Sequence, residues 1–510
     1  MRGLLASSIG VTCAAALALP LTPPASAVTA RPAPAVQAAP AAARPAGPAA
    51  PLAGSTQSLP LTPLARDRAP GGTGAEQGLP RRDVRSFSLL GVVWDDPDAE
   101  LHGRVQVRTR AAGTGTWSDW QDVETHNADH GADPDTPERA SGHVRGATAP
   151  LWVGESDGVE VRVSPEAQRR TEDTAGGART MSSLLGLPSG MRLELVDPGT
   201  TEPARAPAGP PGSRAATAQA PAGARADAPD AAVDAEAGTA AELAEGTAED
   251  TAAGTASATT AESIAASAAN TGLAPLGATE IPALDRAGTE RELLTLRSGE
   301  LTAAQRAKPY IGPRPGIVTR RGWGADENLR EKGFVYTKKV KAAFVHHTAS
   351  GNKYKCSQVP SLIRGIYRYH VRSMGWRDIG YNFLVDKCGT IYEGRAGGVA
   401  KAVLGAHTLG FNSNSMGIAV LGTFTTAKPP AAAVKGIARL TAWKLGLFGA
   451  NPNGKTYLTS GGGNLYQKGK SVRLHVISGH RDGFATECPG RQLYGKLGSA
   501  RSTAAGYQGR

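Results

Sequence analysis

The sequence predicts an α/β fold for its C-terminal part, a mixed central β-sheet with flanking helices, preceded by a small all-β module and disordered linkers. Three observations carry this. Over residues 311–505, short apolar runs of strand length alternate with stretches whose apolar residues recur at helical spacing, the pattern of layered α/β domains. Residues 81–199 hold four of the seven tryptophans, Trp94, Trp117, Trp120 and Trp152, among runs that alternate apolar and polar, such as Val105–Arg108 and Val159–Val163; Gly, Asp and Pro clusters separate these runs, as in all-β modules. Alanine makes up 28 of the 70 residues 201–270, with nothing apolar recurring to bury a helix, which reads as linker.

The composition agrees. Among 510 residues there are 64 Gly and 36 Pro but only 5% aromatics, too little apolar mass for one core along the whole length. The net charge of +11 hides a partition: residues 301–510 carry 32 basic and 8 acidic side chains, and no lysine precedes Lys308. A basic domain calls for anionic partners. Nucleic acid is not expected, because no RNA- or DNA-binding motif accompanies the charge.

Taken in order, residues 1–27 read as a signal peptide: Arg2, an apolar stretch over residues 4–19, and Ala25-Ser26-Ala27 as cleavage site. Cys13 lacks a lipoprotein-like context, and no later run approaches the roughly 18–20 apolar residues that span a bilayer. The expectation is export to a secreted, extracellular or cell-wall-associated location, without stable membrane insertion. Residues 28–80 are an Ala/Pro-rich linker, 81–199 the β-rich module, and 200–310 an Ala-rich low-complexity linker with a short helix within 284–306. In the final domain, Lys341–His346 is a strand and Ser357 precedes a helix carrying Leu362, Ile363, Ile366, Tyr367 and His370 on one face. Tyr381–Asp386 and Ile391–Glu393 are strands about a turn at Lys387-Cys388-Gly389. Met416–Gly422 is a strand, Ala431–Leu447 a helix and Arg473–Ser478 a strand.

Without Cys13, three cysteines remain: Cys356, Cys388 and Cys488. Export permits disulfides, and an odd number leaves one cysteine another task. Metal-ligand residue types stand at strand ends: His346-His347 after one strand, His480 after another, and Cys488 eight residues later. Two imidazoles and a thiolate suit zinc, and three protein ligands leave a fourth position for water. Only Cys488 lies within a loop's reach of such a histidine, so it is the cysteine assigned to metal.

These residues also carry a resemblance. Trp323-Gly324-Ala325 after Arg320-Arg321, then FVHHTAS, GWRDIGYNFLVD, IYEGR, GAHTLGFNSNSMGIAVLG and GHRDGFATECPG resemble, in order and over about residues 314–500, a peptidoglycan recognition protein of the zinc-dependent N-acetylmuramoyl-L-alanine amidase type. The WSDWQD segment is similar to β modules that precede such domains in secreted actinobacterial proteins.

The resemblance implies that His346, His480 and Cys488 ligate zinc and that Tyr381 is catalytic. Thr486 is implied as a second catalytic residue, standing where some related amidases carry lysine and recognition proteins threonine. His347, His407, Phe411, Asn412 and Asn414 match positions at the substrate groove. Family members carry a disulfide starting in the loop after the histidine pair, usually to a nearer partner; here the cysteines left are Cys356 and Cys388. The implied activity is hydrolysis of the amide between N-acetylmuramic acid and L-alanine, zinc hydroxide attacking and Tyr381 helping to stabilise the oxyanion. Peptidoglycan stem peptide is the implied partner, and anionic wall polymers suit the basic surface. The alternative is a recognition module that binds without hydrolysis. Glu393 is expected as a solvated strand-end residue, a proton shuttle being its other reading. The module's tryptophans are expected in its core, sugar stacking being theirs.

Overall fold

Phe87–Trp94 of the β module has apolar side chains to bury on both faces of a strand, so its sheet must be covered twice. The computed structural model describes residues 54–64, 76–125, 127, 129–174, 177–184, 186–200 and 260–510. In it this run ends the strand Gln77–Trp94 and is buried throughout. Leu90, Val92 and Trp94 join Val105, Val107, Val159, Val161, Val163, Leu193 and Leu195 in the module's own core. Leu89 and Val93 face the other way, with Val196, against Val359, Leu362, Ile363 and Ile366 of the C-terminal domain.

The module's antiparallel sheet runs in the order Ser55–Pro60, Arg192–Asp197, Gln77–Trp94, Leu151–Pro165, Gly103–Ala111, Gln121–Val123. Its first strand lies within the stretch expected to be linker. Ser55–Pro60 pairs residue for residue with Arg192–Asp197. It is an edge strand, where proline does not interrupt a ladder, so its Pro-rich flanks misled. The expected signal peptide, residues 28–53 of the first linker and residues 201–259 of the second lie outside the described residues.

The second linker also ends early. Helices Ala261–Ala268, Arg286–Arg297 and Ala303–Ala307 precede residue 311, the second and third covering the expected short helix. Ala274, Ile281 and Leu293 enter the C-terminal core. The domain supplies the burial that these small-residue segments cannot generate alone, so the folded part reaches back to Thr260.

The C-terminal sheet is mixed, in the order Glu280–Ile281, Ile317–Val318, Ile391–Glu393, Phe383–Val385, Ser415–Val420, Ala342–His347, Ile477–Gly479. Helices Ala431–Gly446 and Leu497–Gln508 cover one face through Ile437, Leu440, Trp443 and Ala504. Val359–Arg368 covers the other, against Leu384, Ala419 and Leu421. This last helix is therefore wedged between two sheets, and Gly365 gives the room: a Cβ there would sit 3.3 Å from Leu89 Cδ1. The expected strand Arg473–Ser478 is two strands. Ser471–His475 pairs in a hairpin with Lys455–Thr459, and after Val476 the chain joins the main sheet as Ile477–Gly479. Among the described residues no helix is long and apolar enough to cross a membrane.

Of the four module tryptophans, Trp94 is a core residue. Trp152 packs against the C-terminal domain. Trp117 and Trp120 are half-buried beneath arginines, with Arg162 4.1 Å and Arg108 4.9 Å from the Trp120 ring centre. Core burial thus describes only the first.

Candidate metal centre

Sheet register brings the first two candidate ligands together. Ala342–His347 and Ile477–Gly479 are parallel neighbours with Val345 opposite Gly479. The next residue of each chain, His346 and His480, therefore emerges at the same carboxyl end of the sheet, where α/β folds place their sites. Their Nδ1 atoms lie 3.1 Å apart. The loop after His480 folds back through Arg481 N–H donating to Cys488 O at 3.1 Å, which sets Cys488 Sγ 3.8 Å from His346 Nδ1. A tetrahedral zinc with ordinary Zn–N and Zn–S bonds has N···N edges of about 3.3 Å and N···S edges of about 3.6 Å. The donor set fits that ion.

The outer nitrogens are held as well. His480 Nε2 faces the carbonyl of Asp129 at 3.2 Å, and His346 Nε2 faces Thr408 Oγ1 at 3.4 Å. Such partners leave both Nδ1 lone pairs directed at the centre. Burial depresses both imidazoles, His346 well below its ordinary value and His480 to about 3, so both are neutral, the form that ligates. Burial pushes the Cys488 thiol well up; a bound cation reverses that preference.

A fourth candidate ligand comes from the β module. His130 Nδ1 pairs with Asp129 Oδ1 at 2.8 Å. The ligand atoms of His130, His346, His480 and Cys488 all lie within 4.8 Å of one another, and all four residues are buried. Nothing in the sequence reading of residues 81–199 pointed to His130 or Asp129. The one available signal was the density of histidine and acid in HNADHGADPDTPE, residues 126–138.

The remaining candidates are distributed around this cluster. The Tyr381 ring lies 5.6 Å from that of His346 and 5.8 Å from that of His130, and burial raises its phenol well above the ordinary range. Thr486 Oγ1 accepts from Cys488 N–H at 3.1 Å. His347 Nδ1 accepts from Phe424 N–H at 3.2 Å. His407 is fully buried and meets the His346 ring edge to face, the ring centres 5.2 Å apart. Phe411 packs in a core cluster with Phe344, Leu458 and Val472. Asn412 is buried beneath the β module, and Asn414 is a left-handed turn residue (φ 59°). Phe411, Asn412 and His407 thus line no open groove here, because the fold covers them. Cys356 and Cys388 form a disulfide. Glu393 is not solvated: it is 2% exposed and accepts from Asn270 Nδ2 at 2.9 Å and Arg320 N at 3.1 Å.

Residues 336–491 match the N-acetylmuramoyl-L-alanine amidase family, and residues 35–181 the Rv3811 N-terminal galactose-binding domain-like family. Fold and site thus define an amidase-family domain behind a β module. Peptidoglycan-recognition protein SC2 of Drosophila simulans is 30% identical over 181 residues, 36% of this chain and 84% of that protein. The N-acetylmuramoyl-L-alanine amidase of Homo sapiens is 30% identical over 188 residues, 36% of this chain and 28% of that protein. A solved structure of peptidoglycan recognition protein-LE in complex with tracheal cytotoxin aligns at 31% identity and a TM-score of 0.29, over 36% of this chain and 92% of that one. The chain belongs to the peptidoglycan recognition protein family.

Proposed function

We propose that this protein is an exported zinc amidase that hydrolyses the amide between N-acetylmuramic acid and L-alanine in peptidoglycan. The observation that carries the reading is the convergence of His346, His480 and Cys488 at one sheet end with the Tyr381 ring 5.6 Å from that of His346. Zinc held by these three residues would supply Lewis acidity, polarising the scissile carbonyl and acidifying water. The chain's own residues do the rest. Asp129 O and Thr408 Oγ1 hold the imidazoles in their ligating tautomers. Tyr381, kept protonated by burial, is the hydrogen-bond donor for charge developing on the carbonyl oxygen. Stem carboxylates and anionic wall polymers suit the basic surface of the domain.

A second reading, recognition without hydrolysis, draws on the fourth side chain at the cluster, since four protein ligands typify structural zinc. The test uses the zinc-loaded full chain, its His130→Ala variant and a Cys488→Ala control, incubated with peptidoglycan with and without chelator. Release of stem peptides bearing a free L-alanine amine, abolished by chelator and by Cys488→Ala, supports the enzyme. If neither the native chain nor His130→Ala releases them, the amidase reading fails.

A further inference from the structure

The segment that delivers His130 is fastened across the residues expected to meet substrate. Leu409 N–H donates to Asp129 O at 3.0 Å. Asn412 Nδ2 donates to Gly131 O at 2.8 Å and to Asp133 Oδ1 at 2.7 Å, and Gly410 N–H donates to the same Asp133 oxygen at 2.8 Å. Further along, Glu138 is held by Arg395 through two bonds of 2.9 Å. The space left beside Tyr381, His347, Thr486 and Cys488 is about 10 Å³, about the least that admits one water. A muramyl peptide cannot enter it.

His130 itself has one nitrogen explained and one not. Nδ1 is tied to Asp129. Nε2 is buried without a hydrogen-bond partner among the described residues, in a side chain only 6% exposed. An orphaned buried imidazole nitrogen is costly unless something binds it, and here it belongs to a four-residue group of metal-ligand type.

We propose that His130 is the fourth protein ligand of the metal and that residues 129–138 form a latch, so that the folded chain is a latent amidase. The proposal rests on the amidase reading of His346, His480 and Cys488. Opening exchanges one imidazole for solvent at the metal and frees Asn412 from Asp133, with no change in metal content. The latch is made of polar contacts that other donors and acceptors can replace, and Asp133 and Glu138 are its two anchors.

The test substitutes cobalt into the full chain and counts ligands by X-ray absorption and electronic spectra. The native chain should show three imidazoles, one thiolate and no coordinated water. His130→Ala should show two imidazoles, one thiolate and coordinated water, and in chelator competition should bind its metal at least about 10–100-fold more weakly, the loss typical when even the outer shell of a metal site is removed. A second variant, Asp133→Ala with Glu138→Gln, keeps every ligand and weakens both anchors, at the stability cost of leaving Arg395 without its buried carboxylate. If the open state is 1–10% populated in the native chain, both variants should release stem peptides about 10–100-fold faster. An unchanged ligand count in His130→Ala overturns the ligand assignment. Equal hydrolysis by the native chain and both variants overturns the latch. Loss of one imidazole without hydrolysis by any form supports the ligand assignment and overturns the amidase reading.

Discussion

Arg395 holds the carboxylate of Glu138 through two hydrogen bonds of 2.9 Å, with both side chains 5% exposed. This pair joins the β module to the C-terminal domain. Glu138→Ala would leave the guanidinium charged and buried, which costs about 3–5 kcal/mol, whereas an exposed pair contributes at most about 1 kcal/mol. Urea unfolding of the full chain reads the difference. A loss below about 1 kcal/mol would show that the two halves do not depend on this contact.

On the proposed reading, zinc should stabilise the fold through His346, His480 and Cys488. At a metal concentration 1,000 times the dissociation constant, binding adds about 4 kcal/mol to stability. Thermal unfolding with and without chelator should show the increment in the native chain and not in Cys488→Ala. An equal shift in both would place the metal elsewhere.

Tyr381→Phe removes one hydroxyl and nothing that ligates. If Tyr381 donates to the developing oxyanion, kcat falls about 100–1,000-fold with KM and metal content near native values. The measurement belongs in the unlatched Asp133→Ala, Glu138→Gln background, where the site is open. A change confined to KM would make Tyr381 a binding residue.

Burial pushes Glu393 up to about 7 despite the help of Asn270 and Arg320. The folded state therefore keeps a proton that the unfolded chain releases near its ordinary carboxylate value of about 4.3. Between those values the folded state binds more protons, so stability should fall as pH rises from about 4.5 to 7, by on the order of 3 kcal/mol, and level off above. Glu393→Gln should flatten that slope in denaturant titrations across this range. An identical slope in the variant would assign the pH dependence to another group.

How much of this was legible beforehand differs by element. His346, His480 and Cys488 could be read because each follows an apolar strand or sits one loop away from such a residue, so short-range pattern located them. The strands Phe383–Val385 and Ile391–Glu393 and the helix Ala431–Gly446 were recoverable for the same reason. Phe411 and Asn412 were expected at a groove; whether a loop residue faces solvent depends on what lies over it, and what lies over Asn412 is Asp133. Glu393 was expected in water because a strand end is often exposed; Asn270, from a segment expected to be linker, covers it.

The sequence by itself determined the two domains, the charge partition between them and the three candidate ligands at or one loop beyond strand ends, because periodicity and residue chemistry act over a few positions. Only the tertiary structure decided that His130 stands beside them. The contact between Asp129 and His480 spans 351 positions. It depends on Leu89 and Val93 burying a second face against the helix Val359–Arg368, and no local pattern records where such a face will dock.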